Sequence, residues 1–213
     1  MQQLLFFELT GLGGLMIMLV GEFGWDRGWW RGEWARKFVH SAIGVFVATW
    51  PFYLYYDTIR IISILLVLGF IVSMRLKLFR SIGGIARISY GEVLFALMIG
   101  FLTIIAGTKG IYATAMLHLA LADSAAAVVG VRWGKKTRYK VFGQTKSVVG
   151  SATFFAVSFV LCAIFTIIHP GTLPLLGLII VSLGATFFEN VGIYGLDNLY
   201  VPLYVASILS LLI

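Results

Sequence analysis

The chain has little of what builds a soluble or cross-linked protein. One cysteine in 213 residues, Cys162, excludes an internal disulfide and a multi-cysteine metal centre. It lies in an unbroken apolar run, where a lone thiol reads as a small buried hydrophobe. Charged residues are only 12% of the chain, about half the share of a soluble domain, which argues against a water-facing fold around one core. Acids are scarcer still, nine Asp and Glu against 16 Lys and Arg, for a formal charge of +7. The opening MQQLLFFELT lacks the basic start of a secretory leader, and the apolar run after it shows no small-residue cleavage site. That run is expected to remain as a first span.

What the chain has is apolar length. Hydrophobic residues are 60% of it and the mean hydropathy is +0.98. A bilayer crossing takes about 20 mainly apolar residues, so seven or eight fit. Hydropathy places them near 4–21, 38–56, 58–74, 92–108, 111–131, 148–168, 172–190 and 197–213. The expected fold is all-α: an integral membrane bundle of about eight transmembrane helices, one domain over 1–213, with no soluble domain. Chemistry is then confined to helix ends and loops.

Three connections hold all the basic residues except Arg60 and Lys109: WDRGWWRGEWARK, RLKLFRSIGGIAR with Arg75, Lys77, Arg80 and Arg87, and RWGKKTRYKVFGQTK. Basic loops stay in the cytoplasm, so eight spans with both termini outside fit every loop. Topology and contact with anionic lipid account for most of the charge, and no nucleic-acid module is present. The tryptophans of WDRGWW read as an interfacial anchor.

Some polar residues need another reason. Asp123, in LHLALADSAAAVVGVRWGKK, lies roughly 13 Å before Arg132 along a helix, inside the membrane on its cytoplasmic half. An acid at the centre of a span costs about 2.5–3.5 kcal/mol, so it is functional by default. Ala127, Gly130 and Gly134 share its face, which lets a bulky group approach. The competing reading is a small-residue packing seam through Ala122, Ala126 and Gly130, with Asp123 paired to a neighbouring cation. His118 reads as an interhelical hydrogen bonder, and Glu92 as a helix-dipole acid or a site residue.

The segment GVRWGKKTRYKVFGQTKSVVGS combines glycines with six cations, including Lys135 and Lys146, and with Ser147 at the start of a span. Exposed amides, a lysine and a hydroxyl at a helix start suit a polyphosphate, although the spacing is not that of a Walker A loop. ARKFVHS places Arg36 and His40 four apart on one face beside Lys37. FFENVGIYGLDNLYVP supplies Glu189, Asn190, Asp197 and Asn198 in a connection without cations; such groups are ordinary magnesium ligands. These groups converge on the cytoplasmic rim and describe phosphoryl or nucleotidyl transfer to a membrane lipid.

RKFVH, SYGEVLF, LADSAAAVVGVRWGK, GQTKSVVGS and GLDNLYVPL, in that order, resemble the CTP-dependent lipid kinases: dolichol, phytol and farnesol kinases and the CTP-using diacylglycerol kinase, grouped with phosphatidate cytidylyltransferases. The resemblance spans roughly residues 34–205. It implies a single transmembrane catalytic domain that passes the γ-phosphate of CTP to a long-chain lipid alcohol with Mg2+. In the family pattern Arg36, Lys37, Asp123, Gly130, Lys146, Ser147, Asp197 and Asn198 fall on matching positions. The implied roles are phosphate neutralisation by Arg36, Lys37 and Lys146, nucleotide binding by Gly130, Gly134, Lys135, Lys146, Ser147 and Asn198, and a metal held by Asp123, Glu189 and Asp197. The chain lacks the additional spans of eukaryotic dolichol kinases, which points to a prenol, polyprenol or diacylglycerol acceptor.

Two other classes remain in view. A cytidylyltransferase would attack the α-phosphate of CTP with a lipid phosphate, and such enzymes tend to carry more acids near the final spans. A transporter would use Asp123 as a proton or cation relay, but the two halves of the chain show no internal repeat. The partners expected are a lipid alcohol, CTP and membrane lipids; the motifs fix neither an oligomeric state nor a catalytic base.

Overall fold

A computed structural model describes residues 2–30, 32–76 and 90–212. Arg31 and the basic cluster Lys77, Arg80 and Arg87 lie outside the described residues. Along the chain come α1 (Gln2–Asp26), α2 (Glu33–Ala48), a 3₁₀ turn (Trp50–Phe52), α3 (Tyr56–Leu76) and α4 (Gly91–Ile105). Next are α5 (Lys109–Leu117), a π turn (His118–Ala122), α6 (Asp123–Trp133) and a 3₁₀ turn (Gly134–Thr137). A hairpin of β1 (Arg138–Val141) and β2 (Gln144–Ser147) leads to α7 (Val148–Ile168), α8 (Leu175–Val191) and α9 (Asp197–Leu212).

Counting Lys109–Thr137 as one rod, eight helices among the described residues overlie the eight expected spans. Four of them, Gln2–Asp26, Tyr56–Leu76, Lys109–Thr137 and Val148–Ile168, are long and apolar enough to cross a membrane, and α4, α8 and α9 are shorter apolar helices. This is the architecture of a membrane protein. The outward faces of α1 and α3 carry exposed Leu4, Leu12, Leu19, Ile61, Leu65 and Leu68, as expected where the solvent is itself apolar.

The interior is built around the α5–α6 rod and α9, which pack together; α2 lies on the π turn and α3 on α4. Tyr112, Met98, Leu119, Phe154 and Leu209 are fully buried there. Two N-caps fix helix starts: the Thr108 hydroxyl accepts from Ile111 N at 3.2 Å, and the Ser147 hydroxyl from Gly150 N at 3.1 Å. The hairpin is the one strand pair among the described residues and was not expected from hydropathy. Its two-residue turn holds Phe142 and Gly143 at φ of 44° and 82°, the positive pair that matches strand twist. Glycine adopts this freely, but phenylalanine rarely does.

Candidate active site

The first component comes from the way α2 meets the π turn. Five residues wound at the wider π pitch offer backbone carbonyls to side chains outside the helix. Ser41 donates to Ala120 O at 2.9 Å, and the His40 ring hydrogen-bonds the Leu119 backbone. Gly44 allows the approach, since a Cβ there would collide with Ala120. This docking aims one face of α2 at Asp123, the first residue after the π turn.

Lys37 and Asp123 form a direct ion pair, both side chains nearly sealed from solvent. His40 Nε2 stands 3.8 Å from Asp123 Oδ2; this nitrogen is buried and has no hydrogen-bond partner among the described residues. Arg36, one turn before His40, lies within electrostatic reach of Asp123. The Asp123 carboxylate is therefore paired to a cation, as the packing-seam reading expects, yet a second basic group faces it unbonded.

The hairpin supplies the second component. Its alternation points Tyr139 and Lys146, directly opposite each other in register, towards the end of α8, and leaves Arg138 and Lys140 exposed. Lys146 Nζ donates to Glu189 Oε1 at 2.5 Å and to Glu189 O at 2.9 Å, where a helix C-terminus welcomes a cation. Burial alone lowers the Lys146 pKa, but the Glu189 carboxylate, with Asp197 and Asp123, more than offsets this and holds it above its ordinary value. Tyr139 and Ser151 both donate to Asn190 Oδ1, Ser151 at 2.9 Å, which fastens the hairpin to α7 and α8.

Ser147 explains three glycines. A Cβ on Gly130, Gly134 or Gly150 would press on its hydroxyl, and Gly130 meets the backbone of Gly150. Gly130 and Gly134 thus let α6 close onto the start of α7 around the capping hydroxyl. Lys135 is exposed on the 3₁₀ turn beyond, at the basic rim rather than in the buried cluster.

The third component is the start of α9. Gly192 permits the tight turn from α8, because a Cβ there would meet Asp197 N at 2.5 Å. Tyr90 N donates to Tyr194 O at 3.0 Å and ties this turn to the start of α4. Asp197 Oδ1 and Asn198 Oδ1 are buried without a hydrogen-bond partner among the described residues. Pro202 inside α9 has no N–H to give to the Asn198 carbonyl, so Asn198 presents a second oxygen relieved of its helical bond. Buried polar atoms are normally satisfied, and buried oxygens left bare on two successive residues invite a ligand.

Asp123, Lys37, Lys146, Glu189, Asp197 and Arg36 all fall within electrostatic reach of one another through Asp197 or Asp123. Asn198 is brought in by its place beside Asp197. The expected three-carboxylate metal set is not gathered: Asp123 faces Lys37, Glu189 faces Lys146, and no three His, Cys, Asp or Glu side chains group to hold an ion among the described residues. Asp197 and Asn198 do fit a magnesium ion that arrives on a nucleotide, since such an ion usually takes one or two protein oxygens plus phosphates and water. His40 was legible only as a neighbour of Arg36, and Tyr139, Ser151 and Asn190 gave no pattern that marked them as a network. His118, as expected, bonds between helices, with its Nε2 3.6 Å from Cys162 Sγ.

No family model matches the chain, and no solved structure matches it. Over 138 residues it is 34% identical to a phytol kinase of Synechocystis sp.; the match covers 62% of this chain and 59% of that relative. The chain thus spans less than two thirds of the relative's length. This relative bears out the resemblance read from the motifs.

Proposed function

We propose that the chain is a lipid-alcohol kinase that transfers the γ-phosphate of CTP to a prenol such as phytol, to a polyprenol such as dolichol, or to diacylglycerol. The observation that carries this reading is the pair of bare oxygens on Asp197 and Asn198 within reach of three cations and Asp123. The named relative supports the kinase and the lipid alcohol; the family resemblance supports CTP.

In the reaction the alcohol oxygen attacks the γ-phosphorus. A new O–P bond forms, the bond from the γ-phosphorus to the β–γ bridging oxygen breaks, and CDP leaves. The alcohol proton passes to a base of the cluster, for which His40 Nε2 is placed beside Asp123. Lys37, Arg36 and Lys146 offset the charge of the triphosphate, where positioned charge supplies most of the catalysis of phosphoryl transfer. A magnesium ion, when bound, would neutralise phosphate oxygens, with Asp197 and Asn198 as its protein donors. The cations of the hairpin support a site at the cytoplasmic face, the side that keeps basic loops.

The test is purified protein with phytol, longer polyprenols, diacylglycerol and, as a lipid phosphate, phosphatidate, each with magnesium and γ-labelled CTP, ATP, GTP or UTP. Label in the lipid supports the kinase. Label in pyrophosphate assigns nucleotidyl transfer instead, and no consumption of any nucleotide rejects both.

A further inference from the structure

The β1–β2 hairpin joins two helices that are long and apolar enough to cross a membrane, the Lys109–Thr137 rod and α7. Both of its ends are therefore held at the bilayer surface, and Lys140, the third residue of β1, stands no more than about 10 Å along the strand. One face of the hairpin is taken: Lys146 and Tyr139 turn towards Glu189 and Asn190 at the end of α8. The other face is bare. Arg138, Lys140 and Thr145 stand exposed on it, with Lys140 directly opposite Thr145, and Arg132, Lys135 and Lys136 are exposed just before it. No Asp or Glu occurs between residues 124 and 188, and none of these five cations has an ion pair among the described residues.

Apolar side chains are set among these charges. Phe142 at the tip is 75% exposed. Trp133 and Val148 are exposed where the rod ends and α7 begins, and the Arg132 guanidinium lies over the Trp133 ring at 4.9 Å. Phe142 also holds a φ of 44°, where asparagine or glycine would sit with less strain. A bulky apolar group held out at a strained tip is suited to a contact outside the chain.

We propose that this face docks on the anionic headgroups of the surrounding leaflet, with Phe142 and Trp133 seated among the lipids and the five cations on the phosphates. Charge complementarity selects this occupant, because a polybasic segment beside a span lies close to a Debye length, about 8 Å, from the negative surface. Aromatic side chains favour the same layer. A soluble polyanion would satisfy the charge but leave the phenylalanine and the tryptophan in water. Since Lys146 sits on the opposite face of the same two strands, docking also holds it at the site; that consequence rests on the kinase reading, and the docking itself does not.

The experiment reads the hairpin directly. Cys162 is buried, so Thr145→Cys can carry a fluorophore alone on the bare face, in protein reconstituted into phosphatidylcholine vesicles without or with about 30% phosphatidylglycerol. A nitroxide on the lipid headgroups should quench the fluorophore about twofold more in the anionic vesicles, and about 0.5 M salt should remove the difference. Phe142→Asn suits the turn better and should keep or raise Tm, yet it should reduce the quenching, as should Arg138→Gln combined with Lys140→Gln. Equal quenching in the two compositions, or quenching that both variants leave unchanged, overturns the docking. If the charge variant instead raises the KM for the nucleotide in neutral vesicles, the face serves the triphosphate and the proposal fails. A wild type that phosphorylates no lipid alcohol removes the proposed function, while the quenching still decides the docking.

Discussion

Lys37 of α2 and Asp123, 86 residues later at the start of α6, form a buried ion pair. Breaking such a pair from one side strands a charge and costs about 3–5 kcal/mol, whereas replacing both partners with apolar groups is often neutral. Asp123→Leu alone should therefore lower Tm markedly, and the double change Lys37→Met with Asp123→Leu should recover most of that loss. Activity should stay abolished in both. A double variant that regains turnover would remove Asp123 from the chemistry.

Asp197 and Asn198 make a separate prediction about magnesium. Asn198→Ala deletes an oxygen that has no partner among the described residues, so Tm should barely change. The magnesium concentration for half-maximal activity should rise about tenfold or more, by analogy with losses around other metal sites. A titration that superimposes on the wild type would show that no ion uses these oxygens.

Lys146 predicts a pH dependence of stability. Its pKa lies above the ordinary 10.5, so its pairing contributes stability that is fully present below that pH and is lost as pH rises through the folded-state value. The Tm difference between wild type and Lys146→Met should stay constant from about pH 7 to 10 and shrink only at higher pH. A difference that fades near neutrality would contradict the arrangement seen at Glu189.

Two glycines separate sterics from backbone strain. Gly192→Ala places a methyl against the Asp197 backbone, which cannot step aside, and should cost about 1–3 kcal/mol together with most of the activity. Gly143→Ala meets nothing within 4 Å but keeps φ at +82°, and should cost about 1 kcal/mol without loss of turnover. Thermal melts paired with kinase assays distinguish the two.

Much of this was legible in the sequence because membranes make polar residues conspicuous. Asp123 stood out against an apolar run, and hydropathy located each helix. The identity of its partner did not stand out, since Lys37 reaches it only through the docking of α2 on a π turn that has no compositional signature. The hairpin escaped for a local reason: RYKV and QTKS flank a turn that places Phe142, rather than asparagine or glycine, at a positive φ. Gly130 and Gly134 look like a phosphate loop in sequence, and in space they make room for Ser147.

The π turn also sets the relative phase of two faces of one rod. Before it, His118 looks towards Cys162; after it, Asp123 looks towards Lys37. An α-helix advances about 100° per residue and a π turn takes one more residue into the same turn, so rewinding the five residues 118–122 to α geometry would swing everything beyond them by about that angle. Helix, hydropathy and length would survive almost untouched, yet the carboxylate would point away from its cation. The added residue acts as a rotational spacer that lets one continuous helix serve two differently oriented neighbours.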